Sequence, residues 1–149
     1  MPQGIHDVEL NLPIGAVWQF VSIVENWVPL VPGYISHEVI NERRVAWTFT
    51  GDIGIMKKTI SLQVDITEWT PPTEVRFTLT GISGNFTGHG YFQAKALGEA
   101  RTKMTGCLDI TAHGVKGPMI NSILKSNLPK TTRELVEAIA KRINKITFK

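Results

Sequence analysis

Four histidines, thirteen carboxylates and a single cysteine are the side chains through which this 149-residue sequence could do chemistry. Their spacing offers few combinations. His6, His37, His89 and His113 form no i,i+4 pair and no metal-ligand pattern. Cys107 has no second cysteine with which to form a disulfide or a zinc cluster. His89 is the most promising of the set. It stands between Gly88 and Gly90 in a run whose even-numbered residues, Phe86, Gly88, Gly90, Phe92 and Ala94, are apolar or small. Simple alternation points His89 outward, while a glycine bulge would turn it toward an interior. His113, just ahead of a long helical pattern, is a candidate for the rim of an entrance. Among the acids, Asp65 and Asp109 fall on polar faces of different strands and read as solvent-facing, and Asp52, beside Gly51, reads as a turn former. Acid/base work by paired carboxylates needs a shared cleft, and no nucleophile, base and orienting group assemble from these residues. No catalytic residue, metal ligand or cofactor motif is therefore assigned. Gly81, Gly84, Gly88 and Gly90 are not a phosphate loop, because no matching pattern opens a helix after them.

The elements that must position these groups follow from periodicity. Gly4 to Leu10 predicts a first strand. Pro13 then stands where a helix can begin, and Ala16, Val17, Phe20, Val21 and Val24 have helical spacing, predicting a short helix over Pro13–Ser22. Trp27, Val28 and Leu30 predict a second short turn, ended by Pro29 and Pro32. Strand-like runs come next: Tyr34–Asn41, Arg44–Thr50, Met56–Trp69, the stretch around Val75, Phe77 and Leu79, then Phe86–Ala94 and Thr102–Ile110. The clearest is Ile60, Leu62, Val64 and Ile66 alternating with Ser61, Gln63, Asp65 and Thr67. From about Val115 the period becomes helical, with Met119, Ile120, Ile123, Leu124, Leu128, Leu135, Val136, Ile139 and Ile143 in one stripe. Pro129 interrupts this stripe and predicts a kink or break. The fold class is therefore α+β: a curved antiparallel sheet of about six or seven strands wrapped around a long C-terminal helix, with two short helices closing one end. A sheet and one helix need not fill the volume between them, so a cavity is expected there.

Composition bounds the reading. Apolar residues make up 42% and charged residues 19%, which suits one globular domain over residues 1–149 and excludes disorder, collagen and a disulfide scaffold. The net charge of +3 is mild. The basic residues Lys116, Lys125, Lys130, Arg133, Lys141, Arg142, Lys145 and Lys149 read as a solvated helix face, with contact to an anionic membrane surface or a partner left open. No element for reading bases accompanies them, so no nucleic-acid partner is expected. No secretory leader and no transmembrane run is evident, and the lone cysteine fits a reducing, cytoplasmic setting.

The order of elements, together with Pro13 leading into Val17-Trp18, Val31-Pro32-Gly33, Gly51-Asp52-Ile53-Gly54 and Gly88-His89-Gly90, resembles the START-like (SRPBCC, Bet v 1-like) superfamily and its helix-grip fold. Within that superfamily it looks like the CoxG-like family associated with carbon monoxide dehydrogenase and the polyketide cyclase/dehydrase and lipid-transport group, over about Ile5 to Arg142. The hydrophobic C-terminal extension of some relatives, which looks like a membrane anchor, has no counterpart before Lys149. The resemblance implies a hydrophobic pocket between sheet and long helix. For the dehydrogenase-associated branch it also implies a role in maturing or recruiting a molybdenum dehydrogenase.

Three functions stay open on this footing. The favoured one is binding of a hydrophobic or amphipathic small molecule such as a lipid, quinone or polyketide-like compound. The expected ligand-binding residues are Trp47, Phe49, Phe77, Phe86, Gly88, Gly90, Phe92, Met104, Ile120 and Leu124, with His89 and His113 as polar pocket or rim residues. The others are a maturation factor docked on a dehydrogenase complex, and a cyclase or dehydratase with His89 or a nearby acid as general base. Gly88 and Gly90 carry two readings, space for a ligand or room for the helix to approach.

Overall fold

The computed structural model describes residues 3–53, 56–82 and 85–147, and the side chains of 51–58 and 147 lie outside that description. Gly54 and Gly84, singled out above, are outside it as well. In chain order the elements are β1 (Gln3–Leu10), α1 (Ile14–Val21), α2 (Val24–Trp27) with a 3₁₀ turn at Val28–Leu30, β2 (Tyr34–Asn41), β3 (Arg44–Ile53), β4 (Met56–Thr70), β5 (Glu74–Gly81), β6 (Phe86–Gly98), β7 (Arg101–Ala112) and α3 (Gly117–Thr147). The strands form one antiparallel sheet in the order β1-β7-β6-β5-β4-β3-β2. Each strand from β2 to β7 pairs with its neighbour in sequence, and β1 returns to pair with β7.

Period-2 patterning fixes which face is inside. On β4, Ile60, Leu62, Val64 and Ile66 are buried, as are Val75, Phe77 and Leu79 on β5. A sheet with one apolar face needs a cover, and α3 supplies it by lying along β1 and β7. Two glycines permit the close approach. An added Cβ at Gly106 would sit 2.6 Å from Val136 Cγ2 and 3.0 Å from the Phe92 ring, and one at Gly4 would run into the Leu128 carbonyl and the Thr132 hydroxyl. The helix runs as one element through Pro129, without the break that a mid-helix proline predicts. Its start is tied to the end of β7 by Asn121, which accepts from the Ala112 amide at 2.7 Å and donates to the Ala112 carbonyl at 2.9 Å.

The short helices close one end. α1 follows Pro13, whose extended backbone sets the entry, and buries Val17, Phe20 and Val21 on one face. From α2, Trp27 inserts between strands, its ring 5.1 Å from both Phe77 and Phe92. Trp69 Nε1 donates to the Ser22 carbonyl at 3.0 Å and fastens α1 to β4. Gly33, at φ +85, turns the chain into β2 where its backbone crosses the Thr50 carbonyl. Asp52 lies within β3 opposite Lys57 rather than at a turn, because β3 continues past Thr50 to Ile53.

Candidate functional site

At the end of the sheet away from α1, the interior is not filled. A cavity of about 370 Å³ lies between the sheet and the first half of α3, inside the range typical of small-molecule sites. Its walls come from alternate residues of several strands: Trp47 and Phe49 of β3, Ile60 and Leu62 of β4, Phe86 of β6, and Leu108 and Ile110 of β7. Trp47 and Phe49 stack with ring centroids 4.5 Å apart. The roof is one face of α3, Ile120, Ile123 and Leu124. The mouth lies where Val31, Pro32 and Gly33 meet Thr50 and the next turns of that helix, with Asn127, Lys130, Thr131 and Glu134 contributing the polar groups. The indole N–H of Trp47 is buried with no hydrogen-bond partner among the described residues, so this wall residue carries an unused donor.

The structure divides the residues that sequence reasoning singled out. Trp47, Phe49, Phe86, Ile120 and Leu124 come together around the cavity. Phe77, Phe92 and Met104 are on the same sheet face but toward its other end, each 2% exposed or less and packed in the core that contains Trp27. Gly88 and Gly90 are outside the cavity lining. An added Cβ at Gly90 would stand 2.6 Å from the Cys107 carbonyl and 2.6 Å from the Phe77 ring, and one at Gly88 would strike the β7 backbone at Asp109. Their missing side chains let β6 lie close to β7 and Phe77 fill the interior, and the close approach of the helix is at Gly106 and Gly4 instead.

His89 projects from the outer face of β6, 55% exposed, with Nε2 3.9 Å from Asp109 Oδ2. His113 is exposed in the β7–α3 connection, its Nε2 2.6 Å from the Thr87 hydroxyl. Neither lines the cavity, so a reaction there with His89 as general base lacks its base. Asp109 departs from its expected exposure: it is 6% exposed, with Oδ1 lacking a partner among the described residues. The reason is its central position, since β7 lies between β1 and β6 and the backbone register sets Gln3 and His89 on either side of it. Asp65 is as expected a surface group, bonded to Arg44 at 2.7 Å and Gln63 at 2.9 Å. Cys107 accepts from Gln3 Nε2 at 3.3 Å, and burial pushes its thiol pKa up, away from a nucleophilic thiolate. Burial likewise raises the nearby Tyr91 phenol, with Cys107 adding to the shift. No group of three or more potential metal ligands occurs among the described residues, and no helix of those residues is long and apolar enough to cross a membrane.

Sequence reasoning missed the polar half of the site. Asn127, Thr131 and Glu134 continue the helical stripe of Ile120, Ile123 and Leu124 at intervals of three or four residues. That shared face, turning from aliphatic to polar along one helix, was the available signal.

A protein-family model matches residues 1–146 of the chain. No curated protein matches it by sequence. Solved structures do match it in fold. A conserved protein of Geobacillus kaustophilus is 18% identical with a TM-score of 0.74, covering 96% of this chain and 95% of that one. A START superfamily protein from Mycobacterium smegmatis is 16% identical at a TM-score of 0.71, covering 97% and 98%. The Zhui aromatase/cyclase from Streptomyces sp. R1128 is 18% identical at a TM-score of 0.57, covering 97% and 87%. At these identities the likeness is one of fold: a curved sheet gripping a long C-terminal helix.

Proposed function

We propose that this chain, which belongs to the START-like superfamily, binds one apolar or amphipathic small molecule, of the lipid, quinone or polyketide-like kind, in the cavity under the first half of α3. The observation that carries this reading is the separation of chemistry within the lining. Aromatic and aliphatic side chains make the walls and roof, and Thr50, Asn127, Lys130, Thr131 and Glu134 cluster at the mouth. A molecule with an apolar body and a polar end fits that arrangement.

Magnitudes say why the polar end matters. Burying about 300 Å² of apolar ligand surface stabilises a complex by roughly 7 kcal/mol gross. The lost freedom of association takes at least about 4 kcal/mol of that, which leaves an affinity near millimolar. Micromolar binding then needs a few oriented polar contacts, and the mouth residues and the Trp47 indole are the groups available to make them.

The test is native mass spectrometry of gently purified protein, paired with a fluorescence titration using 1-anilinonaphthalene-8-sulfonate. A co-purified adduct or saturable one-to-one probe binding is expected. The variant Leu124→Trp, which fills the roof of the cavity, should weaken the probe at least ten-fold without lowering the melting temperature. Probe affinity unchanged in Leu124→Trp, or no binding in either form, would overturn the proposal.

A further inference from the structure

We propose that the end of the molecule formed by the β5–β6 connection, the β7–α3 connection and the first turn of α3 docks on an anionic lipid surface. The two connections are joined. The His113 amide donates to the Asn85 carbonyl at 2.8 Å, and the His113 ring shares a 2.6 Å hydrogen bond with the Thr87 hydroxyl. Around this junction three large apolar side chains face solvent: Val115 is fully exposed, and Ile82 and Met119 are each more than half exposed. A lone exposed apolar residue is ordinary on a protein surface. Three on adjoining connections at one end of a sheet form a projecting apolar tip.

The charge around the tip is one-sided. Residues 81–88 and 112–130 contain no aspartate or glutamate, and the second stretch carries Lys116, Lys125 and Lys130. The first turn of α3 has no acidic residue either, although acidic side chains there would stabilise the helix. Apolar tips that enter the headgroup region, flanked by lysines attracted to negative lipid, match an anionic bilayer in both respects. Self-association through this end would bring the same lysines of two copies together, and their repulsion opposes it. The tip also adjoins the cavity, since Phe86 and Ile120, directly inside it, belong to the lining. The docking itself does not depend on the cavity being filled.

The test is co-sedimentation of the full chain with vesicles of phosphatidylcholine alone and of phosphatidylcholine mixed equally with phosphatidylglycerol. Binding is expected to the mixed vesicles, weakening as sodium chloride is raised. The exposed double variant Val115→Ser/Met119→Ser should bind them at least ten-fold more weakly with an unchanged melting temperature. Lys116→Ala should weaken binding by roughly five-fold. Leu124→Trp should bind as the unaltered chain does, which separates docking from cavity occupation. Four results would overturn the proposal: no binding to the mixed vesicles, full binding by the double variant, loss of binding in Leu124→Trp, or a concentration-dependent dimer in analytical ultracentrifugation that the double variant abolishes.

Discussion

At the end closed by α1 and α2, Trp27 sits 5.1 Å from both Phe77 and Phe92, and the interior is solid. At the other end Trp47 and Phe49 stack at 4.5 Å with a cavity of about 370 Å³ beside them. Both ends use the inner face of the same sheet and one side of the same helix. The difference lies in what enters from outside the sheet. The α2 turn delivers a third aromatic ring into the closed end, whereas only the chain at Val31–Gly33 borders the open one. The helix differs as well. Its second half buries Leu135, Val136, Ile139 and Ile143, drawn close to the sheet over Gly106. Its first half carries the half-buried Ile120, Ile123 and Leu124 across a gap. Stability is thus concentrated at one end, and the other is left free to accommodate a ligand.

The largest test of that contrast is a pair of truncations. Trp27→Ala removes a side chain 1% exposed and in contact with two rings, and should cost about 3–5 kcal/mol in urea denaturation. Leu124→Ala removes a half-buried side chain that already borders empty space, and should cost under about 1.5 kcal/mol, since few packed neighbours are lost. Equal costs would mean that the open end is packed after all.

A smaller effect tests the helix. In Gly106→Ala the new methyl meets Val136 at 2.6 Å, an overpacking worth about 1–3 kcal/mol. Because the clash is with one side chain, Val136→Ala in the same background should relieve part of it. A double-mutant cycle would then show a favourable coupling. Simple additivity of the two changes would place the helix contact elsewhere.

These two ends also mark where the sequence could be read and where it could not. Alternation assigns a residue to a face, so Trp47, Phe49, Phe77, Phe92 and Met104 were all correctly placed inside. It does not tell which end of the face a residue occupies. That depends on register, which pairs Phe77 with Gly90 and Phe92 with Gly106, away from the cavity. The glycines were equally ambiguous, because a missing side chain says that something is close without saying what. At Gly90 it is the Phe77 ring and β7, and at Gly106 it is the helix. The burial of Asp109 was hidden for a related reason: outward-facing residues of an inner strand are shielded by neighbours that come from distant sequence. Apolar periodicity revealed Ile120 and Leu124, but it passed over Asn127, Thr131 and Glu134, which share their face without sharing their hydropathy. The elements themselves depended on local spacing alone, and β2 from Tyr34 to Asn41 coincides with the predicted strand.

The smallest expected effect lies on the outer surface of the closed end, where Glu74 of β5 is held by three donors. Gln93 Nε2 is 2.6 Å from its carboxylate, Arg76 Nε 2.9 Å and Arg76 Nη2 3.0 Å. The Gln93 hydrogen bond, aided by Arg76 and opposed by burial, holds the Glu74 pKa below its ordinary value. A carboxyl whose pKa is lowered on folding stabilises the fold above its unfolded pKa, and the contribution fades as pH falls through the folded one. Part of the group remains open to water, so solvent screening keeps the contribution below about 1 kcal/mol. Glu74→Gln should therefore be slightly less stable than the unaltered chain at pH 7. The gap should close as the pH is lowered through the carboxylate range, below about pH 4. Urea denaturation at pH 7, 5 and 3.5 measures it. If the closed end owes its stability to buried aromatic packing, this gap stays several-fold smaller than the loss from Trp27→Ala at every pH. A gap as large as that loss would shift the source of stability from the interior to the surface of the sheet.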